Sequence, residues 1–410
     1  MTENERLIAD ILKGQAFKLI AEENGKLRYP FVQPGLAYKN TLWDWDSYWT
    51  VKGLADLCRL YGMQEQLAIL QEVAKGDVLN FLDFQEEDGF IPCMLRSDVY
   101  DDDYSVRPNV RNVHKPFLCQ QAMLAVELGA DARFVPFEKL EKYLEYYYAN
   151  QYDEKSGLFV WADDIFLGGD NNPTVFARPD YTSADVYLNG FMVGELQAMC
   201  ALAKAQGKNT AYWQEKCDSF IQAVNDEMYD KESGFYYSQD VSVVTHKTEI
   251  FHLGLPAFWK TVPLKLKMWA CYIPLIYGIA PPKNAAKSLL AYKTSGLYSE
   301  YGIRTVSKHE KMYNLEPSGN PSNWLGAIWT VANYILFRAF MQYGYLDEAE
   351  MIKVQTESYL VKDIEESGSV SESYHPDTGE RFLNNEFFSF NCLYASMVYE
   401  LEQAKSAENK

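Results

Sequence analysis

The chain has 410 residues, of which 48% are hydrophobic and 15% aromatic, so it has enough apolar material for a large core. Its formal net charge of −19 argues against nucleic acid and against an anionic membrane surface as partners. The opening segment MTENERLIADILKGQAF is polar and amphipathic, which argues against a secretory signal.

Helical periodicity dominates the chain. Apolar residues recur at helical intervals in six segments, which are 47–62, 66–82, 117–129, 184–207, 210–229 and 326–344. Alternating strand patterns are few and short, chiefly SVVTH at 242–246 and GIRTVS at 302–307. These patterns predict an all-α protein with a few short strands in its loops.

A weak internal repeat places an acidic, glycine-containing loop after successive helices. The loops are QEEDGF at 85–90, YDEKSGLF at 152–159, YDKESGFY at 229–236 and YHPDTGERF at 374–382, with SEYGIRTVS at 299–307 near the middle of the longest gap. Glycine in such a loop reverses the chain after a helix. A period of about 70 residues fits one helix pair plus a long loop, which gives about six pairs in this chain.

Six helix pairs can form an open solenoid or close into an (α/α)6 barrel, a toroid of six inner and six outer helices. Long, irregular connections such as GGDNNPTVFARPDYTS at 168–183 are typical of loops that build a site, and solenoid repeats are shorter and more uniform. No Ser/Gly-rich linker divides the chain. We therefore expect a single domain over residues 1–410, with the barrel core at about 30–400.

The cysteines and histidines show no metal-ligand spacing. The seven cysteines are at positions 58, 93, 119, 200, 217, 271 and 392, mostly in apolar helical patterns. They predict free, buried thiols in a reducing compartment, so we expect a cytoplasmic protein without a cofactor or a tightly bound transition metal. The most apolar window, 268–282, is too short to span a membrane and contains three prolines.

The segment LWDWDSYW at 42–49 gathers three tryptophans, two aspartates and a tyrosine. These aromatics could be core residues, with the aspartates favouring the first turn of a helix. They could also form a sugar platform, in which aromatic faces cover the C–H faces of a pyranose and carboxylates accept hydrogen bonds from its hydroxyls. Similar mixtures occur in NWLGAIW at 323–329 and NNEFFSFN at 384–391.

Two carboxylates lie on glycine-containing loops: Asp170 in GGDNNP and Glu372 in SVSESYHPDTGE. Glycoside hydrolysis needs two carboxyl groups flanking the scissile bond, one protonated and one ionised. The alternative is that both are ordinary loop acids among the 57 acidic residues of the chain. The densest acid run, DVYDDDY at 98–104, is interpreted as a solvated loop in preference to a calcium site.

Five of these motifs resemble those of the clan of inverting glycosidases that includes trehalases and glycoside hydrolase family 63. The likeness is greatest to the compact mannosylglycerate and glucosylglycerate hydrolases. LWDWDSYW resembles the clan's W-D-S-Y-W element, GGDNNP its S-G-M-D-N-S-P segment and YGIRTVS its G-L-R-S-L-S stretch. NWLGAIWTVANYILFRAFMQYG resembles Y-W-R-G-P-V-W-P-x-x-N-Y-L-L, and ESYHPDTGERFLNNEFFSF resembles E-x-Y-x-P-x-T-G followed by G-Q-x-F-S-W. The matches keep the clan's order over roughly residues 30–400, and its (α/α)6 barrel agrees with the count of six pairs.

The resemblance implies an inverting, exo-acting α-glycosidase whose partner is a small carbohydrate. The implied substrate is an α-glucoside or α-mannoside, either a short oligosaccharide or a glycosylglycerate-type compatible solute. Asp170 is the implied general acid and Glu372 the implied general base. The implied substrate-binding residues are Trp43, Trp45, Asp46, Gln120 (or Gln121), Trp324, Trp329 and Glu386.

Four departures from the clan's pattern bear on the substrate. GGD replaces S-G-M-D, NWLG replaces Y-W-R-G, Glu386 replaces a glutamine and SFN replaces S-W-S. A glycerate leaving group needs a cation, for which the motifs offer Arg178, Arg304 or Arg381, whereas an extra acid at 386 disfavours an anionic substrate. Two other functions stay open: a sugar epimerase or isomerase that uses paired histidines, and a carbohydrate-binding protein without catalysis.

Overall fold

The computed structural model describes residues 2–97, 111–165, 167–243, 257–316, 322–382 and 384–408. These ranges contain α1 Glu3–Gln15, α2 Asp44–Tyr61, α3 Gln64–Asp83, α4 Leu118–Glu127, α5 Phe137–Asn150, α6 Val186–Ala205, α7 Ala211–Ala223, α8 Ile273–Ile276, α9 Pro282–Ala291, α10 Thr330–Gln342, α11 Leu346–Ser367 and α12 Leu393–Glu408. Each of the six segments with helical periodicity coincides with most or all of one of these helices. The acid run at 98–104 lies outside the described residues.

Six of the described helices form a closed ring. Helix α2 packs against α4, α4 against α6, α6 against α8, α8 against α10, α10 against α12, and α12 back against α2. Other helices lie outside this ring, as α3 does against α2 and α4, and α11 against α10 and α12. The first helix, α1, packs against α11. The predicted all-α (α/α)6 barrel is confirmed.

The inner helices are apolar because they are enclosed on nearly all sides. Thirteen of the 18 residues of α2 and 14 of the 20 residues of α6 are buried. Helix α6 is long and apolar enough to cross a membrane, but 83% of its apolar window is buried inside the fold. Its composition therefore has an explanation in core packing. The outer helix α5 instead buries one stripe, which includes Leu140, Tyr143, Leu144 and Tyr147.

The strands are two or three residues long and all pair antiparallel. The pairs are β1 Ile20–Ala21 with β2 Phe31–Val32, β3 Thr41–Trp43 with β4 Met94–Arg96, β5 Tyr152–Asp153 with β6 Leu158–Phe159, and β10 Tyr298–Ser299 with β11 Gly302–Ile303. A three-stranded sheet joins β7 Ser183–Ala184, β8 Ser238–Asp240 and β9 Val262–Leu264. Of the strand expected at 302–307, Gly302–Ile303 form β11, while Arg304 and Val306 form isolated β-bridges. Residues 242–243 of the other expected strand are not in a strand, and 244–246 lie outside the described residues.

A tight turn follows the outer helices and explains the sequence repeat. In the turns after α5 and α11, the backbone N–H of Gly157 donates to the Asp153 carbonyl at 2.8 Å and that of Gly379 donates to the His375 carbonyl at 2.9 Å. The left-handed glycines of these turns are Gly25, Gly89, Gly157, Gly234, Gly302 and Gly379, with φ from 59° to 115°. The turn at Gly25, after α1, was not among the predicted repeats.

The two ends of the barrel differ in the length of the connections between helices. Links from an inner helix to the next outer helix are short, as at 62–63 and 343–345. Links from an outer helix to the next inner helix are long, as at 84–117, 151–185 and 368–392. The long loops therefore gather at the end where the inner helices begin. All seven cysteines are free thiols, as predicted, and only Cys200 of them is partly exposed.

The contact between α2 and the turn before α12 gives a stability prediction. A Cβ added to Gly53 would lie 2.5 Å from backbone and side-chain atoms of Cys392. We expect Gly53→Ala to lower the free energy of unfolding by about 1–3 kcal/mol, because overpacking forces the two elements apart. The control is Gly14→Ala in α1, where no atom lies within 4 Å of the new Cβ. That variant should gain up to about 1 kcal/mol from helix propensity. Urea denaturation measures both, and equal gains would contradict the close approach.

Candidate active site

A cavity of about 300 Å³ opens where the inner helices begin. Its walls come from residues just before or at the first turn of α2, α4, α10 and α12. The long links 151–185 and 368–392 add Gly168, Asp170 and Glu372. The lining residues are Pro34, Tyr38, Trp43, Trp45, Asp46, Lys115, Gly168, Asp170, Ser322, Trp324, Trp329, Glu372, Phe387 and Phe390. Seven of the nine predicted site residues therefore meet in one pocket.

The LWDWDSYW segment serves both as core and as pocket wall. Strand β3 ends at Trp43 and α2 begins at Asp44, so this junction directs Trp43, Trp45 and Asp46 to the cavity. The Trp45 ring is only 3% exposed. It packs against four rings with centroid distances of 5.0–6.5 Å, namely those of Phe117, Tyr187, Trp324 and Phe390. The two interpretations of this segment are therefore compatible.

A buried ion pair joins the start of α2 to the segment before α4. The Lys115 Nζ lies 2.8 Å from Asp44 Oδ1, and the two side chains are 1% and 0% exposed. The backbone N–H of Lys115 donates to Asp44 Oδ2 at 2.6 Å, and that of Trp45 donates to Oδ1 at 2.7 Å. Burial alone would lower the pKa of Lys115, but the Asp44 carboxylate raises it above the usual value, so the ammonium stays charged.

Three carboxyl groups share the cavity. Burial raises the pKa of Asp46 well above its usual range, and although Lys115 opposes this shift, Asp44, Glu372 and Asp170 add to it. Burial also raises the pKa of Glu372, and the Asp170 charge adds to this rise. The carboxyl groups of Asp46, Asp170 and Glu372 are thus electrostatic neighbours in a site walled by aromatic rings.

Gly168 explains the glycine that opens the GGDNNP loop. Its φ is +88°, in the left-handed region, and a Cβ there would lie 2.5 Å from the Tyr187 Oη beneath it. The next residue, Gly169, has room, because its nearest neighbour is a Trp324 ring atom at 3.8 Å. The loop therefore requires glycine at 168, where it turns directly over Tyr187, and tolerates a side chain at 169.

Two asparagines anchor the loop on either side of the pocket wall. The backbone N–H of Trp324 donates to Asn171 Oδ1 at 2.7 Å, and Asn171 Nδ2 donates to Asn323 Oδ1 at 3.2 Å. Asn172 Nδ2 donates to the buried Asp185 carboxylate at 3.0 Å. The loop that carries Asp170 is therefore held between a tryptophan-bearing loop and the start of α6.

Two parallel tryptophans form a flat part of the wall. The Trp324 and Trp329 rings stack with a centroid distance of 4.0 Å and an interplanar angle of 12°. Trp324 Nε1 donates to Ser322 Oγ at 3.1 Å, and Trp329 Nε1 donates to the Asn323 carbonyl at 3.0 Å. Both indole N–H groups are thus satisfied within the loop, and the rings are fixed in place.

Glu372 is a buried carboxyl group with side-chain donors. Asn384 Nδ2 donates to Glu372 Oε2 at 2.5 Å and to Tyr38 Oη at 3.2 Å. Burial raises the pKa of Glu372 to about 7; hydrogen bonds from Asn384 and Tyr38 work against this rise, and the Asp170 charge adds to it. Asn384 itself has a φ of +60°, a conformation that asparagine accepts more readily than most residues.

Two predicted substrate-binding residues do not line the cavity. Gln120 is buried, its Nε2 donates to the Pro116 carbonyl at 2.7 Å, and its Oε1 accepts from Tyr277 Oη at 2.8 Å. Gln121 is also buried beside α2, where its Nε2 donates to Ser47 Oγ at 2.7 Å. Glu386 is exposed, with a φ of +64°. None of these three side chains lines the cavity.

The arginines considered for an anionic leaving group are also elsewhere. Arg178 pairs with Asp240 at 2.5 Å, Arg381 with Asp363 at 3.2 Å, and Arg304 with Asp377. None of the three lines the cavity. The lining residues outside the quoted motifs are Pro34, Tyr38, Lys115 and Ser322. Gly168 opens the GGDNNP motif, and Phe387 and Phe390 belong to the phenylalanine-rich stretch.

The described histidines do not form a catalytic pair at this site. His114, His309 and His375 are described, and none of them lines the cavity. Burial lowers the pKa of His114 to about 4, and its Nδ1 lies 2.6 Å from the Lys115 carbonyl oxygen. Within the described ranges no group of three or more histidine, cysteine, aspartate or glutamate side chains is arranged to hold a metal ion.

Sequence comparison identifies the relatives of this chain. A family model described as the mannosylglycerate hydrolase MGH1-like glycoside hydrolase domain matches residues 38–390. A mannosylglycerate hydrolase of Rubrobacter radiotolerans is 23% identical over 219 residues, covering 53% of this chain and 44% of the relative. Alpha-glucosidase 2 of Arabidopsis thaliana is 22% identical over 308 residues, covering 64% and 39%. The chain thus spans less than half the length of the curated relatives it matches.

Solved structures share the fold. The GH63 mannosylglycerate hydrolase of Thermus thermophilus, solved in complex with glucose, has a TM-score of 0.69 and 17% identity, covering 98% of this chain and 100% of that one. The neutral trehalase of Saccharomyces cerevisiae has a TM-score of 0.61 and 15% identity, covering 91% and 73%. At these identities the likeness shows the fold alone. Because the family model covers residues 38–390, the chain belongs to the mannosylglycerate hydrolase MGH1-like glycoside hydrolase family.

Proposed function

We propose that this protein is an inverting, exo-acting glycoside hydrolase that cleaves an α-glucosidic or α-mannosidic bond in a small substrate. The observation that supports the proposal is that Asp170 and Glu372, from two distant loops, line one aromatic-walled pocket. A pair of carboxyl groups facing the same bound sugar is what glycoside hydrolysis requires. Membership of a glycoside hydrolase family supports the same chemistry.

The size and walls of the pocket support a small sugar as substrate. A volume of about 300 Å³ is at the lower end of the range for ligand sites. The tryptophans 43, 45, 324 and 329 supply apolar faces for the C–H faces of a pyranose. Such a pocket suits one terminal sugar and a short leaving group, which is the basis for proposing exo action.

We assign separate roles to the two carboxyl groups. Asp170 gives its proton to the glycosidic oxygen as the leaving group departs. Glu372 takes a proton from the water that attacks the anomeric carbon on the opposite face of the sugar ring. The hydrogen bonds from Asn384 and Tyr38 favour the ionised form of Glu372, the form that a base needs.

The seven free thiols support a reducing setting. Disulfide-free chains with many buried cysteines are typical of such compartments, and we propose that the protein acts in the cytoplasm. The net charge of −19 supports a small uncharged partner in preference to nucleic acid or an anionic membrane surface.

The stereochemistry of the product tests the reaction. We expect α-linked disaccharides and α-glycosylglycerates, screened for released monosaccharide, to include a substrate whose first product is the β-anomer. Proton NMR during the first minutes of reaction distinguishes the anomers before mutarotation. An α-anomeric product would contradict inversion, an isomerised sugar would indicate an epimerase or isomerase, and binding without any product would indicate a carbohydrate-binding protein.

Replacing either carboxyl group separates the two roles. Asp170→Asn and Glu372→Gln should each lower kcat by about 10²–10⁴-fold on that substrate, because each removes one proton transfer. An α-glycosyl fluoride loses its leaving group without a proton, so Asp170→Asn should recover most of its activity on the fluoride while Glu372→Gln should not. The control is Glu386→Gln, at an exposed position outside the cavity, which should retain nearly all activity. Equal losses on both substrates for both variants would contradict the assignment.

The pKa of Glu372 predicts the pH dependence. Because burial raises this pKa to about 7 and a base must be ionised, kcat/KM should fall as pH decreases below about 7. Asn384→Gly removes a donor to the ionised carboxylate and accepts the φ of +60°. It should therefore move the acidic limb to higher pH. Profiles of kcat/KM for both proteins measure the shift. A wild-type profile that falls above pH 7 and holds below it would mean that Glu372 acts as the acid.

A further inference from the structure

We propose that Cys200 and Cys217 form a modification site, at which a small hydroperoxide converts the two thiols into a reversible disulfide. The site lies between α6 and α7, and neither cysteine lines the cavity of the candidate active site. The inference therefore goes beyond the proposed function and does not depend on it. It follows from the positions of the two cysteines on a pair of packed helices and from the contact between their thiols.

The two cysteines lie at the same level of a helix hairpin. Helices α6 and α7 pack against each other and are joined by the short link 206–210. Cys200 lies five positions before the last residue of α6, and Cys217 lies six positions after the first residue of α7. Because two packed helices joined by a short link run antiparallel, these nearly equal distances place the two residues opposite each other.

The two thiols are in contact. A side-chain hydrogen bond joins Cys200 to Cys217, and both residues are free cysteines. Two sulfurs in such contact must approach by roughly 1–2 Å to reach the disulfide length of about 2.05 Å. Cys119, another thiol near Cys200, instead contacts Met199, with 4.0 Å between the two sulfurs. Cys217 is therefore the partner that we assign to Cys200.

Exposure and hydrogen bonding give the two thiols different roles. Cys200 is partly exposed, whereas Cys217 is buried. The hydrogen bond from Cys217 lowers the pKa of Cys200 and so favours its thiolate, the form that attacks a peroxide. The same hydrogen bond raises the pKa of Cys217, and burial adds to this rise, so Cys217 keeps its proton. We therefore assign Cys200 as the attacking thiol and Cys217 as the resolving thiol.

The oxidation takes two steps and consumes one hydroperoxide. The Cys200 thiolate attacks one oxygen of the peroxide, so that an S–O bond forms and the O–O bond breaks. The departing oxygen takes up a proton, and Cys200 becomes a sulfenic acid. The Cys217 sulfur then attacks the Cys200 sulfur, and the hydroxyl group leaves as water with the Cys217 proton. The two sulfurs lose two electrons, which the peroxide gains, and an added dithiol reverses the bond by exchange.

Peroxide treatment of the full chain tests the pairing. After exposure to hydrogen peroxide, the remaining thiols are alkylated, and the proteolytic peptides are mapped by mass spectrometry. We expect a linked peptide pair that contains Cys200 and Cys217 and separates again with dithiothreitol. The oxidised protein should also unfold at a higher urea concentration, because the cross-link restricts the unfolded chain. The inference is overturned when Cys200 pairs with another cysteine, or when it is oxidised to the sulfinic acid without forming a disulfide.

Two alanine variants test the assigned roles. In Cys217→Ala the sulfenic acid has no resolving thiol, so dimedone should trap it at Cys200, whereas the wild type should form the disulfide instead. Cys200 also loses its hydrogen-bond donor in this variant, so its alkylation by iodoacetamide at neutral pH should be slower by about threefold or more.

The matched control is Cys119→Ala, which removes a buried thiol near Cys200 that lies outside the pair. It should form the Cys200–Cys217 disulfide as the wild type does, and its Cys200 should be alkylated at the wild-type rate. Loss of the disulfide in this variant would mean that Cys119 takes part in the oxidation, and would contradict the pairing. An unchanged alkylation rate in Cys217→Ala would contradict the role of Cys217 as donor.

Discussion

Closure of the inner helices into one ring determines where chemistry is possible in this fold. Because inner and outer helices alternate along the chain, the links at one end are short and those at the other end are long. The long links and the first turns of the inner helices therefore meet around the cavity described above. Backbone N–H groups at helix N-termini favour nearby negative charge. At this end Asp46 lies in the first turn of α2, and loops carry Asp170 and Glu372. The arrangement of the helices therefore by itself favours acidic groups at this end of the barrel.

The aromatic walls have two effects on that acidic site. Stacked and tilted rings, such as those of Trp324 and Trp329, give the cavity rigid apolar faces for a sugar. The same rings remove water from the carboxyl groups, so burial raises the pKa of Glu372 to about 7 and that of Asp46 well above its usual range. Lys115 of the buried Asp44–Lys115 pair limits the rise in the pKa of Asp46, because it places a positive charge near that carboxyl group. The pair as a whole is neutral. The proposed sugar binding and the proposed proton transfers therefore depend on the same desolvated surface.

The parts of the site that could be predicted from sequence are those encoded by short, contiguous motifs. Asp170, Glu372 and the four tryptophans lie in such motifs, and helical periodicity with a count of six pairs was enough for the barrel. Lys115 could not be predicted, because its partner Asp44 is 71 positions away. Tyr38 meets Asn384 across 346 positions. Gln120 was expected at the sugar because it lies near a motif position, but Tyr277 satisfies its amide. Glu386 is exposed and does not line the cavity.

The raised pKa of Glu372 also bears on how the proposed cycle returns to its starting state. A stronger base removes a proton from water more readily, and strength as a base increases with pKa. The corresponding disadvantage is that a carboxyl with a pKa of about 7 is ionised in only part of the molecules at neutral pH. Donors from Asn384 and Tyr38 moderate this loss while keeping the group more basic than an exposed glutamate. After one turnover Glu372 holds a proton and Asp170 has given one away. Because both line the same cavity, water that enters after product release can return the proton from one to the other.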